Sequence, residues 1–217
     1  MPIELYYSAL SAPCRSVLMA FKQLNLDVNI KLIDLGKGEQ FSEEYLKLNP
    51  NHKVPTIVDD DLVLWESRAI MQYLCNKYAP NSSLYPSNPK DRALVDRWLY
   101  TDMPYFAANI DVLVNTALLG TKPTDQQMET YRKTLKLIDT LIGGNKYVAG
   151  GGNLTIADLS LTGVTSMLAI NEYKDLDEYP NLKTWYNGMQ LELSYFQDVN
   201  GMVYELYKQN ANKFKSI

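Results

Sequence analysis

The pattern of apolar residues changes near residue 80, and this change constrains the fold more than any other feature of the chain. Before it, short stretches with the alternating period of strands are interleaved with stretches of helical period. After it, the apolar residues recur at helical intervals and no stretch favours a strand. The sequence therefore predicts an α/β domain followed by an all-helical domain.

The first part runs in the order strand, helix, strand, helix, strand, strand, helix. Its predicted strands span residues 3–7, 28–32, 54–59 and 62–65, and its predicted helices span residues 11–24, 41–48 and 67–78. This order is typical of an α/β unit built around a four-stranded mixed sheet. In the second part, the predicted helices span residues 91–119, 124–142, 154–170, 179–193 and 198–209. Pro104 is expected to kink or end the first of these helices.

A segment rich in Pro, Ser and Asn lies between the two parts. Such a composition interrupts regular structure and favours a linker. The predicted domains are therefore residues 1–80 and residues 91–217, joined by a linker over residues 81–90.

Composition and charge exclude several classes of function. The formal net charge of −4 gives no reason to expect nucleic acid as a partner. No apolar stretch is long enough to span a membrane, and the N-terminus lacks the features of a secretory signal. Cys14 and Cys75 are therefore expected to be reduced thiols in the cytoplasm. With His52 as the single histidine and no CxxC or HExxH motif, no catalytic metal is expected.

The segment Ser11-Ala-Pro-Cys-Arg-Ser16, at the predicted start of the first helix, is the first of four local signals. A serine just before Pro13 is a good N-cap, because its oxygen accepts a hydrogen bond from a free amide. The same hydroxyl can instead donate a hydrogen bond to a thiolate, which the helix terminus also favours. Lowering a thiol pKa by about two units takes roughly 2.7 kcal/mol, which these two interactions supply between them.

The next two signals precede the third predicted strand. Val54-Pro55 either marks the start of an edge strand or, with a cis peptide bond, exposes the backbone of Val54 to an extended peptide ligand. His52 is either a structural surface residue or a contact for a ligand carboxylate.

The fourth signal is Glu66-Ser67-Arg68, at the predicted start of the third helix. Ser67 could be no more than an N-cap, and Glu66 no more than a partner of the helix dipole. Alternatively, Ser67 holds a ligand carboxylate at the helix start, Glu66 holds an ammonium group, and Arg68 holds a carboxylate. A ligand with both groups at one end is an α-amino acid, so the four signals together indicate a γ-glutamyl peptide with a central thiol.

This array resembles the cytosolic glutathione transferases, and the similarity covers the whole chain. It is carried by YYSALSAPCRS at residues 6–16, LNPNHKVPT at 48–56, WESRAI at 65–70 and LTIADL at 154–159. The motifs are most similar to the insect delta and epsilon classes and do not decide between them. The resemblance implies a thioredoxin-like first domain, an all-helical second domain, a homodimer, and glutathione as co-substrate.

The resemblance also implies roles for individual residues. Ser11 would be the catalytic hydroxyl that stabilises the thiolate. Glutathione would contact His52 through its glycyl end, the backbone of Val54 through its cysteinyl part, and residues 66–68 through its γ-glutamyl end. The full set of glutathione contacts would be His52, Lys53, Val54, Pro55, Glu66, Ser67 and Arg68.

Two positions need separate comparison with the family pattern. Gln40 stands about where delta-class proteins often have a histidine, which leaves a glycyl contact at that position open. Asp102 resembles the acidic residue that other classes lend to the site of the partner subunit.

Three residues compete with Ser11 for the catalytic role. Tyr6 and Tyr7 lie near the place where tyrosine-type transferases keep their tyrosine, although strand packing explains both more simply. Cys14 is similar to the cysteine of omega-type thiol transferases, but it follows Pro13 instead of preceding a proline. It is therefore expected to be a packed helix residue and not a nucleophile.

The electrophile would bind between the domains. Its expected contacts are Leu10, Pro13, Tyr105, Phe106, Asn109, Tyr204 and Tyr207. Each aromatic residue of this set could instead belong to the core of the helical domain.

The expected reaction is attack of the bound thiolate on a small hydrophobic electrophile, such as a halogenated aromatic, an activated alkene or an organic hydroperoxide. In an insect, this would serve detoxification of insecticides or plant toxins. The alternatives are a non-catalytic carrier of hydrophobic ligands, a steroid-handling protein that uses Asp111, and disulfide reduction through Cys14.

Overall fold

A computed structural model describes residues 2–210 of the chain. Four strands form one mixed sheet, as the sequence predicts, and the structure gives their order in the sheet as β2-β1-β3-β4. Strands β1 and β2 are parallel, whereas β3 is antiparallel to both β1 and β4. The strands are β1 (Ile3–Tyr7), β2 (Val28–Leu32), β3 (Thr56–Asp59) and β4 (Leu62–Trp65).

Helices cover both faces of this sheet. Leu5 of β1 pairs with Ile57 of β3, and both side chains are fully buried in one core with α1 (Ala12–Gln23) and α3 (Ser67–Tyr78). Because neighbouring residues of a strand face opposite ways, Tyr6 points to the other face. There its ring lies 5.7 Å from the ring of Tyr45 in α2 (Glu43–Leu48). The first part of the chain therefore has the predicted thioredoxin-like fold.

The second part is helical throughout the residues that the structure describes. Its helices are α4 (Pro89–Asn109), α5 (Asp125–Ile142), α6 (Ile156–Thr165), α7 (Pro180–Glu192), α8 (Phe196–Asn200) and α9 (Val203–Asn210). Helix α4 continues directly into a π-helical segment, Ile110–Leu119. Short 3₁₀ turns span Leu35–Lys37, Glu39–Phe41, Ser166–Asn171 and Lys174–Glu178. None of the helices between residues 2 and 210 is long and apolar enough to cross a membrane.

Several predicted boundaries differ from the structure. Helix α4 runs through Pro104, which is exposed, so the carbonyl that loses its partner there can bond to water. The helix predicted over 198–209 is two helices, because the chain turns at Gly201, where a Cβ would crowd the backbone carbonyl of Gln197. Strand β3 begins at Thr56, two residues late, because Pro55 has no amide to donate.

The predicted domain boundaries remain a prediction. Between α3 and α4 no helix or strand is formed over residues 79–88. The predicted second domain extends to residue 217, and its last seven positions, 211–217, lie outside the described residues.

Helix α6 is the centre of the helical part, since every residue from Ile156 to Thr165 is buried. Its start is fixed by Asp158, whose carboxylate accepts hydrogen bonds from the backbone amides of Val148 (2.8 Å) and Thr155 (2.9 Å). The Thr155 hydroxyl donates to the same group at 2.9 Å. The Asp158 carboxylate thus caps the helix and also binds the loop that precedes it.

Replacing Asp158 with alanine is expected to lower the free energy of unfolding by about 3 kcal/mol or more, because several buried donors lose their acceptor at once. Chemical denaturation measures this loss. Asp125→Ala is the matched control: Asp125 is also an acidic residue in the first turn of a helix, but it is exposed. It should change stability by less than about 0.5 kcal/mol, and an equal effect of the two variants would contradict the prediction.

Candidate functional site

A cavity of about 680 Å³ lies between the α/β part and the helical part. One wall is formed by the start of α1, the loop before β3 and the start of α3. The opposite wall is formed by α4, its π-helical continuation and α9. The polar groups lie mainly on the first wall, and the second wall is largely apolar.

Ser11 lies at the point where α1 meets the cavity. It is the N-cap of α1, and its Oγ accepts a hydrogen bond from the backbone amide of Cys14 at 3.3 Å. A hydroxyl that accepts through a lone pair keeps its proton for another partner. The two roles considered for Ser11, helix cap and thiolate donor, are therefore compatible.

The loop before β3 is held by hydrogen bonds, but the backbone amide and carbonyl of one of its residues are unpaired in the described part of the chain. The carbonyl of Lys53 accepts hydrogen bonds from Tyr45 Oη (2.6 Å) and Asn49 Nδ2 (2.8 Å). The next residue, Val54, precedes a cis Val54–Pro55 bond and lines the cavity. Within residues 2–210, neither the amide nor the carbonyl of Val54 has a hydrogen-bond partner. An extended peptide can therefore pair with this backbone.

The start of α3 is the second polar feature of the first wall. Glu66 precedes the helix with φ at +69°, a strained conformation for a non-glycine residue, and its side chain provides no cap. The first amides of α3 therefore keep free donors, and the helix dipole adds positive potential there. Ser67, buried at this terminus, and Glu66, exposed beside it, both line the cavity. This terminus is suited to a carboxylate, and Glu66 is suited to an ammonium group.

Arg68 also lines the cavity, but its guanidinium is bound inside the chain. Its Nε donates to Asp102 Oδ1 at 2.8 Å, its Nη2 also contacts this oxygen, and the Ser160 hydroxyl donates to Asp102 Oδ2 at 2.5 Å. Burial raises the pKa of the Asp102 carboxyl, whereas Arg68 and Ser160 act in the opposite direction. Asp102 is thus engaged by Arg68 of the α/β part and Ser160 of the helical part of its own chain.

Several hydrogen-bond donors lie at the end of the cavity next to the loop before β3. His52 and Lys53 are exposed at its rim, and the ring of His52 lies 5.0 Å from that of Phe41. Gln40 lines the cavity beside them, and its Oε1 is buried without a partner among the described residues. All seven residues predicted to contact glutathione therefore line one cavity together with Ser11.

Four of the seven residues predicted for the electrophile line the cavity. These are Leu10, Pro13, Phe106 and Tyr207. The other three are placed elsewhere.

Tyr105 and Asn109 are fully buried. The side-chain amide of Asn109 donates through Nδ2 to the backbone carbonyl of Val164 in α6. Tyr105 and Asn109 share α4 with Phe106 but face the helical core. Tyr204 lies on the outer side of α9 and is 37% exposed. Asp111 is exposed and does not line the cavity.

The sequence prediction missed most of the apolar wall. The missed residues include Met103, Ala107, Ile110, Val114, Asn115, Leu118, Leu119 and Met167. Many of them belong to the π-helical segment, whose wider turn changes which residues share a face. Asn115 is one of the few polar side chains on this wall, and its carboxamide makes no hydrogen bond within residues 2–210.

The residues that competed with Ser11 are poorly placed for catalysis. Tyr6 and Tyr7 do not line the cavity, and burial raises the pKa of Tyr7 to about 12. Cys14 is fully buried, and burial raises the pKa of its thiol to about 11. A nucleophilic cysteine needs a thiolate and access, and Cys14 has neither.

The chain matches a known family along most of its length. Residues 5–82 match the profile described as "Glutathione S-transferase, N-terminal domain", and residues 110–190 match "Glutathione S-transferase, C-terminal domain". A delta-class glutathione transferase of Nilaparvata lugens is 37% identical, with a TM-score of 0.88 and coverage of 99% of both chains.

Two further solved structures show the same similarity. An epsilon-class glutathione S-transferase of the housefly, Musca domestica, is 32% identical, with a TM-score of 0.85 over 97% of this chain and 99% of that one. A glutathione transferase homologue of Drosophila mojavensis with bound glutathione is also 32% identical, with a TM-score of 0.87 over 97% and 96%. The resemblance to the insect delta and epsilon classes is confirmed.

The burial of both thiols leads to a direct test of cysteine chemistry. Burial raises the pKa of Cys75 to about 12, close to that of Cys14, so neither thiol should react with a chromogenic disulfide reagent in the folded protein at pH 7. Both should react at once in denaturant. A thiol that reacts rapidly in the native protein would contradict this prediction. If that thiol were Cys14, the result would support disulfide reduction as an activity of the protein.

Proposed function

Since this chain belongs to the glutathione S-transferase family and is a glutathione transferase, we propose that Ser11 activates the glutathione thiol for attack on small hydrophobic electrophiles. The observation that carries the proposal is the composition of one cavity. Three polar features of the described residues face its apolar wall: the hydroxyl proton of Ser11, the unpaired backbone of Val54 and the uncapped helix start at Ser67.

The polar wall matches glutathione group by group. The γ-glutamyl carboxylate would bind at Ser67, where the free amides of α3 favour an anion, and Glu66 would hold the neighbouring ammonium group. The cysteinyl part would pair with the backbone of Val54. The glycyl carboxylate would then reach His52 and Lys53 at the rim, with Pro55 between them and the centre.

Arg68 would contribute to glutathione binding less directly than Ser67 and Glu66. Because its guanidinium is paired with Asp102, it would bind the γ-glutamyl carboxylate only through a donor that this pair leaves free. The pair would hold the positive charge in place at the edge of the site.

The enzyme would contribute thiolate stabilisation and proximity. At pH 7 a free thiol with a pKa of roughly 8.5 is only a few per cent ionised. A hydrogen bond from Ser11 to the sulfur, together with the positive end of α1, favours the charged form. The bound sulfur would then lie opposite the apolar wall, where an electrophile is held close to it.

The second wall indicates the class of electrophile. Phe106, Ile110 and Val114 favour a small apolar molecule, and the unpartnered Asn115 offers one hydrogen bond to a polar group on it. Nitro-substituted halogenated aromatics and activated alkenes with a carbonyl have this character. Detoxification of such compounds is the role we propose, and a carrier without turnover is not favoured.

We also propose that the enzyme is a cytoplasmic homodimer. Helix α4 exposes one large aromatic side chain outside the cavity, Tyr100 (73% exposed), which a second copy would cover. Light scattering should therefore give a mass twice the 24.7 kDa of one chain. A mass of one chain at micromolar concentration would contradict the homodimer.

Ser11→Ala should reduce conjugation of glutathione to a chloronitroaromatic by roughly ten- to hundredfold at pH 6.5, because the bound thiol returns toward its ordinary pKa. The difference should shrink as the pH rises above 9, where the thiol ionises without help. The affinity for glutathione, measured by calorimetry, should stay within about threefold of the wild type, because the peptide contacts remain.

Thr124→Ala is the matched control for Ser11→Ala. Thr124 caps α5 outside the cavity, and its loss should cost about 1 kcal/mol of stability without changing the rate. Full activity of Ser11→Ala at pH 6.5 would contradict the assignment of Ser11 as the catalytic residue. Tyr6 and Tyr7 would then be the next candidates for that role.

A further inference from the structure

The loop that carries Ser11 is fixed at every carbonyl. Residues 8–11 connect β1 to α1, and each of their four carbonyl oxygens accepts a hydrogen bond. Two of these bonds are local: the amide of Ser11 donates to Ser8 O at 3.0 Å, and the amide of Arg15 donates to Ser11 O at 3.1 Å. The other two come from side chains.

The first of these side chains is Arg15, which donates through Nη1 to the carbonyl of Ala9 at 2.6 Å. Arg15 is fully buried, and two further donors of its guanidinium bind Asn200 Oδ1 (3.1 Å) and Ser166 Oγ (2.9 Å). Both of these residues belong to the helical part of the chain. The guanidinium is therefore immobile, and it fixes the loop to the helical part at Ala9.

The second is Tyr207 of α9, whose hydroxyl donates to the carbonyl of Leu10 at 2.9 Å. Tyr207 is 4% exposed and packs in a small apolar cluster with Leu118, Ala169 and Val203. The hydroxyl proton therefore already has an acceptor. That acceptor is the carbonyl of the peptide unit that joins Leu10 to Ser11. Of the two bonds from side chains, this one is on the carbonyl next to Ser11, whereas the Arg15 bond is one residue further away.

We propose that Tyr207 is a positioning residue for Ser11: its hydrogen bond to Leu10 fixes the Leu10–Ser11 peptide and thereby the direction of the Ser11 hydroxyl. This inference rests on the proposed role of Ser11. A rigid peptide plane allows the hydroxyl to meet the sulfur without prior rearrangement, which is how preorganised donors stabilise a developing or bound anion.

The physical consequence of losing this bond is specific. Without the Tyr207 hydroxyl, the Leu10 carbonyl has no donor in its place, and the peptide can rotate toward water in the cavity. The ring remains in its apolar cluster, so the fold and the apolar wall are retained. The helical part would then influence the thiolate through α9, although no group of α9 need touch the sulfur.

Y207F tests the proposal, with Y204F as the matched control on the same helix. Tyr204 lies three residues earlier, is exposed, and its hydroxyl makes no hydrogen bond within residues 2–210. For both variants the pH profile of kcat/KM is measured with a chloronitroaromatic, and the ultraviolet absorbance of the thiolate is titrated in the complex with glutathione alone.

Y207F should raise the apparent pKa of the bound thiol by about half a unit to one unit, so that kcat/KM falls roughly three- to tenfold at pH 6.5 and recovers at high pH. The KM for glutathione and the KM for the electrophile should stay unchanged. Y204F should match the wild type in both measurements.

Two results would overturn the proposal. The first is a Y207F profile that coincides with the wild type while Ser11→Ala still shifts, which refutes positioning by Tyr207 and leaves the role of Ser11 intact. The second is a loss in Y207F that is independent of pH and confined to the KM of the electrophile, which makes Tyr207 a substrate contact. If Ser11→Ala itself shows no shift, the proposed function fails instead.

Discussion

Helix α1 and helix α6 touch at Gly163, and this close contact joins the two parts of the molecule. A side chain at position 163 would collide with Ser16 Oγ, and its Cβ would lie 3.0 Å from the carbonyl of Ala12. Only a glycine allows this approach without displacing the backbone. Because Ser16 and Ala12 belong to the first turns of α1, the contact also fixes the helix start at which Ser11 is the cap.

The cavity follows from this arrangement. With α1 held against α6, the start of α3 and the loop at Val54 face the wall formed by α4 and its π-helical continuation. Arg15 and the Arg68–Asp102 pair then cross the same boundary as polar connections, each to residues of the helical part. The polar wall is thereby suited to a charged peptide and the apolar wall to its reaction partner, so neither part of the chain forms the site alone.

The sequence predicts the fold and the polar wall well, for a physical reason. The features that the sequence predicts are local: strand alternation, helix starts, and the segments around Ser11, Val54 and Ser67. Backbone geometry at such places is determined largely by neighbouring residues, so it can be predicted from a short stretch of sequence. The apolar wall was predicted less well because it depends on packing. The sequence did not reveal the π-helical turn after Asn109, and helical period alone does not tell that Phe106 faces the cavity whereas Tyr105 faces the core. The partner of Arg68 likewise depends on tertiary structure.

A crystal structure with bound glutathione would test the central claim most directly, namely that one cavity places the sulfur at Ser11 opposite an apolar wall. We expect the sulfur within hydrogen-bond distance of Ser11 Oγ, the cysteinyl backbone paired with Val54, and the γ-glutamyl carboxylate on the amide of Ser67. Sulfur lying beside Tyr6 or Tyr7, or a peptide bound with its γ-glutamyl end away from α3, would contradict it.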